Sequence, residues 1–262
     1  MLKPRKGAGG VGAHIVHCED ELCRAFRQLP RDRDDVFDFS APLVQQFVDG
    51  DVHEVNALCD HGEVRVAMTQ KRLLRYPNCG AGIYNESTDE PDLVDSAVRL
   101  LSALGWNGPV QVEFLRERDT GRFRLLEVNG RFWGTMDLAV AAGLDFPLLT
   151  CRMALGEQIP DRPAYRVGLH YRWLFPYAFL HAVETGRWWG AFRDFILPRR
   201  ATRSDLSLSD PMPLFMELAY TFNRYRKQGF RRLDTEGKIH RNDVRRGVPT
   251  GVDANSAYLA RR

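Results

Sequence analysis

Val110-Gln111-Val112-Glu113-Phe114 and Leu125-Leu126-Glu127-Val128-Asn129-Gly130-Arg131 flank the turn sequence Asp119-Thr120-Gly121. Val110, Val112 and Phe114 alternate with other residues at strand period, and so do the residues from Phe123 to Val128. The spacing predicts an antiparallel hairpin. Glu113 lies on its first strand and Glu127 on its second, followed by Asn129 in a Glu-x-Asn step and by Arg131 in an Asn-x-Arg step. Two carboxylates and an amide oxygen converging across a hairpin suit a hard cation such as Mg²⁺, which takes oxygen ligands and shares them with phosphates. Both glutamates sit among Val112, Phe114, Leu125, Leu126 and Val128, where an unneutralised carboxylate is costly. The simpler alternative is an ion pair with Arg131 or Lys71.

Outward from the hairpin, the order of elements predicts an α+β protein. Leu2 and Lys3 read as the end of a strand, and Ala13 to Val16 as another short strand. Leu22, Ala25, Phe26 and Leu29 have helical spacing. Strands are expected at Leu43 to Val48, Glu54 to Cys59 and Glu63 to Thr69, the last two joined by a tight turn at Asp60-His61-Gly62. Residues 76 to 90 read as a long loop. Leu93, Ala97, Leu100, Leu101 and Leu104 line one face of a helix that Gly105 ends. Further helices are expected at Thr135 to Ala142 and Pro147 to Leu155. A change of character at Gly156 divides the chain into residues 1–156, an extension over 157–228, and a tail over 229–262. In the extension, Tyr165 to Trp173 reads as a strand, and Tyr177 to Glu184 and Pro213 to Tyr225 as aromatic-rich helices.

Composition narrows the classes. The chain has 262 residues, 44% hydrophobic and 27% charged, which excludes wholesale disorder. No stretch has the roughly 18 uncharged apolar residues of a membrane helix, and no apolar segment follows the basic start as in a secretory signal. Cys18, Cys23, Cys59, Cys79 and Cys151 are odd in number and form no C-x-x-C pair, so a disulfide framework is not expected and a cytoplasmic setting is. The histidines lack metalloprotease spacing, and no serine stands in a G-x-S-x-G context. Arg224 to Arg262 carry 11 basic and 4 acidic residues, leaving −4 on the rest of the chain. For residues 229–262 a solvated tail, dispensable for folding, is the expectation; contact with nucleic acid or an acidic partner is the alternative, disfavoured because no aromatic platform stands among the charges.

Gly7-Ala8-Gly9-Gly10-Val11-Gly12 matches G-x-G-x-x-G, but the residues after Gly12 read as a strand, whereas a dinucleotide fold opens a helix there. A Rossmann-type oxidoreductase is disfavoured for that reason. A glycine turn between strands can instead cover phosphates with its amides, with Lys3 beside it as a neutralising charge.

Together, Lys3-Pro4-Arg5 with the glycine loop, Val44-Gln45-Gln46-Phe47-Val48-Asp49-Gly50, Lys71-Arg72-Leu73, Val112-Glu113-Phe114, Leu126 to Gly134 and Ala142-Gly143-Leu144-Asp145-Phe146-Pro147 resemble the ATP-grasp superfamily. The likeness is to carboxylate–amine ligases with a carbamoyl-phosphate-synthase-like ATP-binding core, over about residues 1 to 215. It implies an ATP-grasp fold of antiparallel sheets with packed helices, followed by a helical C-terminal extension. It implies that Lys3 contacts ATP phosphates under a lid of Gly7, Gly9, Gly10 and Gly12. Gln45, Gln46, Phe47 and Val48 would line the adenine hinge. Glu113, Glu127 and Asn129 would hold one or two Mg²⁺ ions, with Mn²⁺ as a substitute. Arg131 would steady the transferring phosphoryl group or the substrate carboxylate, and Arg72 would face the acceptor.

The implied activity is formation of an amide or peptide bond from a small-molecule carboxylate and an amine, through an acylphosphate. The alternative is a non-catalytic ATP-binding or interaction module. The family has a preceding domain and a first half of the ATP-grasp unit that this sequence does not contain, so the chain reads as N-terminally truncated. Self-association or a partner chain that supplies the missing part is expected, together with little turnover by the chain alone.

Overall fold

The computed structural model describes residues 1–5, 13–29, 40–75, 82–174, 178, 202–206 and 210–228. The glycine loop, the loop through Cys79, most of the helix expected at Tyr177 to Glu184 and the basic tail lie outside these residues. The chain divides into two compact units. One comprises Met1–Phe47, Tyr76–Ala81 and Phe222–Arg262, the other Val48–Arg75 and Gly82–Thr221.

In the first unit, β1 (Leu2–Lys3) pairs antiparallel with β2 (Leu43–Val44), Leu2 opposite Val44. Leu2 is fully buried. It also exchanges both backbone hydrogen bonds with His14, at 2.8 and 2.7 Å. The strand expected at Ala13 to Val16 is therefore a single bridge, and the one expected at Leu43 to Val48 stops at Val44. Helix α1 (Glu19–Gln28) follows the expected spacing. It opens on Glu19, Asp20 and Glu21 and closes near Arg27, charges that complement its dipole.

The second unit is built on one sheet. Its strands are β3 (Gly50–Asp60), β4 (Glu63–Arg75), β5 (Gly82–Thr88), β6 (Gly108–Glu117), β7 (Phe123–Asn129), β8 (His170–Arg172) and β9 (Thr202–Ser204), in the order β7-β6-β3-β4-β5-β8-β9. Every neighbouring pair is antiparallel except β8 and β9. His61 (φ 46°) and Gly62 (φ 92°) join β3 to β4 in the two-residue turn expected there, both with positive φ as a type I′ turn requires.

On one face, α2 (Pro91–Ala103) sets Leu93, Ala97 and Leu101 against Val55, Ala57, Val110, Val112 and Phe114. On the other, α3 (Met136–Ala142) and α4 (Phe146–Ala154) set Leu138, Ala139, Phe146 and Leu149, with Trp133, against Leu58, Val66 and Met68. Each fully buried Leu or Phe in these layers is worth about 1.5–3 kcal/mol of transfer free energy. The Asp145 carboxylate caps α4 by accepting from the Leu148 amide at 2.9 Å. A last helix, α5, spans Met212–Gln228. Among the described residues no helix is long and apolar enough to cross a membrane.

Two further expectations are corrected. Within residues 76 to 90, read as loop, Gly82–Thr88 forms a central strand. Its buried positions are Ile83, Asn85 and Ser87. Two of the three are polar, so the strand alternates in burial without alternating in hydrophobicity. The strand expected at Tyr165 to Trp173 contracts to His170–Arg172, starting two residues after Gly168.

Cys18, Cys23 and Cys151 are exposed free thiols, whereas Cys59 is buried in β3, and that burial raises its pKa to about 11. In the native protein a disulfide reagent at pH 8 should spare Cys59 while modifying the exposed three. Urea should release it; labelling of Cys59 at the rate of Cys18 would contradict this placement.

Candidate functional site

Paired residues on neighbouring antiparallel strands share a face. Glu54 of β3 lies opposite Gln70 of β4 on one side and Glu113 of β6 on the other, and Glu113 lies opposite Glu127 of β7. The register therefore draws Gln70, Glu54, Glu113 and Glu127 into one row across four strands. The next row holds Asn56, Gln111 and Asn129. Glu54 and Asn56 have the parity of Leu58, so both rows lie on the α3–α4 face, continuous with its apolar core.

Burial grades along the row. Glu54 is 0% and Glu113 6% exposed, while Glu127 is exposed. Both carboxylate oxygens of Glu54 meet a partner. Its Oε2 accepts from the Gln70 amide and, at 2.9 Å, from the Gln111 amide, and its Oε1 is ion-paired with Arg72. The same Arg72 Nη2 donates to Glu113 Oε1 at 2.6 Å. Gln70 also donates to Thr135 Oγ1 at 2.6 Å, which ties the row to the segment leading into α3. At the open end, the Asn129 amide nitrogen donates to Glu127 Oε1 at 2.8 Å and lies 3.4 Å from Glu113 Oε1.

The cation that meets the carboxylates is thus Arg72, neither Arg131 nor Lys71. Arg131 is exposed and donates to the Phe132 carbonyl at 3.0 Å. Lys71 is opposite His53 and Glu86, on the other face. Burial pulls the Arg72 pKa down, but the charges of Glu54 and Glu113 outweigh it and the pKa lies above the usual value. For Glu113, burial and the neighbouring Glu54 and Glu127 charges prevail over Arg72 and push the pKa up to about 7.

A carboxyl with a raised folded pKa binds its proton more tightly in the fold. The stability it contributes is complete below its unfolded pKa of about 4.3 and is lost as pH rises through about 7. In chelator, stability against urea should therefore fall more steeply between about pH 5 and 8 in the wild type than in Glu113→Gln. Parallel slopes would contradict the assignment.

Glu113, Glu127 and Asn129 can offer two carboxylates and an amide oxygen to one cation, with Asn129 turned by 180° so that its oxygen replaces its nitrogen. Among the described residues no group of three or more His, Cys, Asp or Glu side chains is placed to hold a metal. The remaining ligands of a hard cation would then be water and phosphate oxygens, a division that suits Mg²⁺.

Gly130 places the chain after Asn129. A Cβ there would fall 2.6 Å from the Trp106 ring. Gly130→Ala should cost about 1–3 kcal/mol by overpacking, read from urea unfolding; a neutral change would contradict the close approach.

The other candidate residues are distributed as follows. Lys3, Gln45, Gln46 and Phe47 belong to the first unit and Val48 to the second. In the first, the N-terminal ammonium donates to the Gln45 carbonyl at 2.7 Å and the Gln45 amide to the Met1 carbonyl at 2.9 Å. Gly7, Gly9, Gly10 and Gly12 lie outside the described residues.

Sequence reasoning missed Glu54, Gln70, Gln111 and Thr135. A signal for Glu54 was present, since it stands between His53 and Val55 inside an apolar strand just as Glu113 stands between Val112 and Phe114.

Comparison with known proteins gives concordant results. The family model described as ATP-grasp in the biosynthetic pathway with Ter operon matches residues 38–175. Pyruvate carboxylase of Staphylococcus aureus is 28% identical over 138 residues, covering 50% of this chain and 12% of that protein. Among solved structures, a biotin carboxylase–beta-gamma-ATP complex from Campylobacter jejuni superimposes with TM-score 0.53 at 21% identity, over 64% of this chain and 40% of that one. The biotin carboxylase domain of 2-oxoglutarate carboxylase from Hydrogenobacter thermophilus, solved with MgADP, ADP and bicarbonate, gives TM-score 0.51 at 18% identity, over 64% and 39%. The chain thus spans a minor part of the relatives it matches, and the structural likeness shows the fold.

Proposed function

The chain belongs to the family described as ATP-grasp in the biosynthetic pathway with Ter operon, and from that premise we propose that it serves an ATP- and Mg²⁺-dependent ligation of a carboxylate to an amine. The observation that carries the reading is the register of β6 on β7, which sets Glu113 opposite Glu127 and Gln111 opposite Asn129 on one face.

In this reading a substrate carboxylate oxygen attacks the γ-phosphorus of ATP and ADP leaves. The amine nitrogen then attacks the acyl carbon, phosphate departs, and the nitrogen loses its proton. Glu113, Glu127 and Asn129 would hold the cation. Bound Mg²⁺ would supply charge neutralisation and polarisation of the phosphoryl group. Arg131, exposed next to Asn129, would steady the anionic oxygens of the phosphoryl group or of the substrate carboxylate. Lys3 would meet phosphates under Gly7 to Gly12, and Gln45 to Val48 would read the adenine. Such a site works by positioning and electrostatics, since phosphoryl transfer asks little covalent chemistry of the protein.

The test is calorimetric titration with Mg·ATP and with NAD(P), followed by ATP turnover in hydroxylamine over a panel of amino acids and small carboxylates. Hydroxamate and ADP are expected in equal amounts, at the low rate expected of this chain alone. Mg·ATP binding without hydroxamate would replace the ligase with a nucleotide-binding module, and binding of NAD(P) in place of ATP would overturn the reading.

A further inference from the structure

The proposed cation ligands do not explain Arg72 and Glu54. Glu54 is wholly buried, and its two oxygens are occupied by the Gln70 and Gln111 amides and by Arg72. Its buried position and its partners keep it from reaching a ligand at the open end of the row. Arg72, 11% exposed, places a single nitrogen on both Glu54 and Glu113. We propose that Arg72 is a tethered counter-ion: anchored on Glu54, it holds Glu113 in place without metal and sets how strongly Glu113 and its neighbour Glu127 attract a divalent cation. The inference rests on the metal-site reading above.

Charge counting gives it content. With all three carboxyls ionised, as a bound cation would require, Glu54, Glu113 and Glu127 would carry three negative charges and Arg72 one positive charge. The remainder of two is what one divalent cation neutralises. A second ion then needs the charge of nucleotide phosphates, so the protein alone should take one. The exchange is local: a cation approaching Glu113 meets the guanidinium that already shares this oxygen, so Arg72 competes with the metal while holding its ligand in place. Arg72 would thus be a positioning residue, acting on the metal through Glu113, and Glu54 would act through Arg72.

This arrangement predicts effects of opposite sign, which a merely structural role does not. With Mn²⁺ alone as the probe, free ion being read by electron paramagnetic resonance, the wild type should bind one ion. Arg72→Met removes the competitor and should tighten binding about tenfold or more, because near charges in a partly buried site interact strongly. Glu54→Gln frees Arg72 to pair wholly with Glu113 and should weaken binding by a similar factor. The double variant Arg72→Met/Glu54→Gln restores the local charge and should return to within about threefold of wild type, as should Arg72→Lys.

Arg72→Met alone strands a buried anion and can fail to fold. In that case Glu54→Gln against the double variant carries the test, the double binding about tenfold more tightly. Weaker binding in Glu54→Gln and the double alike, with an intact wild-type site, would overturn the counter-ion while leaving the metal site standing. A folded wild type that binds neither Mn²⁺ nor Mg·ATP would overturn the metal-site reading and this inference with it.

Discussion

Glu127→Gln is expected to weaken Mg·ATP binding on the order of 100-fold, about 2.7 kcal/mol, while metal-free nucleotide binding stays within about twofold. The substitution keeps shape and hydrogen-bonding capacity, and Asn129 can still donate to the side-chain oxygen it now reaches at 2.8 Å. What is lost is the one carboxylate of the row that faces solvent. Glu54 is spent on Gln70, Gln111 and Arg72, and Glu113 shares its nearer oxygen with Arg72. A cation arriving from solution would thus meet Glu127 first and depend on its charge. Equal titrations of wild type and variant in Mg²⁺, or equal losses with and without Mg²⁺, would remove Glu127 from the metal set.

Phe146→Ala should destabilise the second unit by about 3–5 kcal/mol, a large part of the 5–15 kcal/mol that holds a typical domain. Phe146 is fully buried at the start of α4, its ring edge-on to Trp133 with centroids 4.9 Å apart. Trp133 is buried in turn and lies two residues beyond Arg131. Loss of the ring would therefore leave a cavity against the segment that links Asn129 to α3. Phe146→Leu should cost less because it fills part of that space. Urea unfolding of the three proteins measures the series, and a loss below about 1 kcal/mol in Phe146→Ala would show that the site collapses freely.

The parts of this architecture that could be read in advance are those whose signals are local. The β6–β7 hairpin announces itself through Val110, Val112 and Phe114 and the Asp119-Thr120-Gly121 turn, and its register brings Glu113 and Glu127 face to face as expected. The turn at Asp60-His61-Gly62 was equally plain. What escaped depends on partners far along the chain or on parity. Gly82–Thr88 buries Asn85 and Ser87, so no apolar alternation marks it. Lys71 and Arg72 are adjacent basic residues, and only the register of β4 on β3 decides that Arg72 turns toward the carboxylates. The β3–β6 pairing that gives Glu113 its neighbour Glu54 has no signature in either strand alone.

That last pairing bears on the order in which the molecule assembles. The β3–β4 and β6–β7 hairpins close over short loops and can form early at small entropic cost, whereas joining β3 to β6 brings together residues such as Glu54 and Gln111, 57 positions apart in the chain. Arg72 and Glu54 reside in one hairpin, Glu113, Glu127 and Asn129 in the other. Neither hairpin therefore has the whole carboxylate row. It comes into being only at the step that docks them: the cation ligands can gather on the β6–β7 hairpin early, whereas their counter-ion Arg72, with Glu54, arrives at that late event.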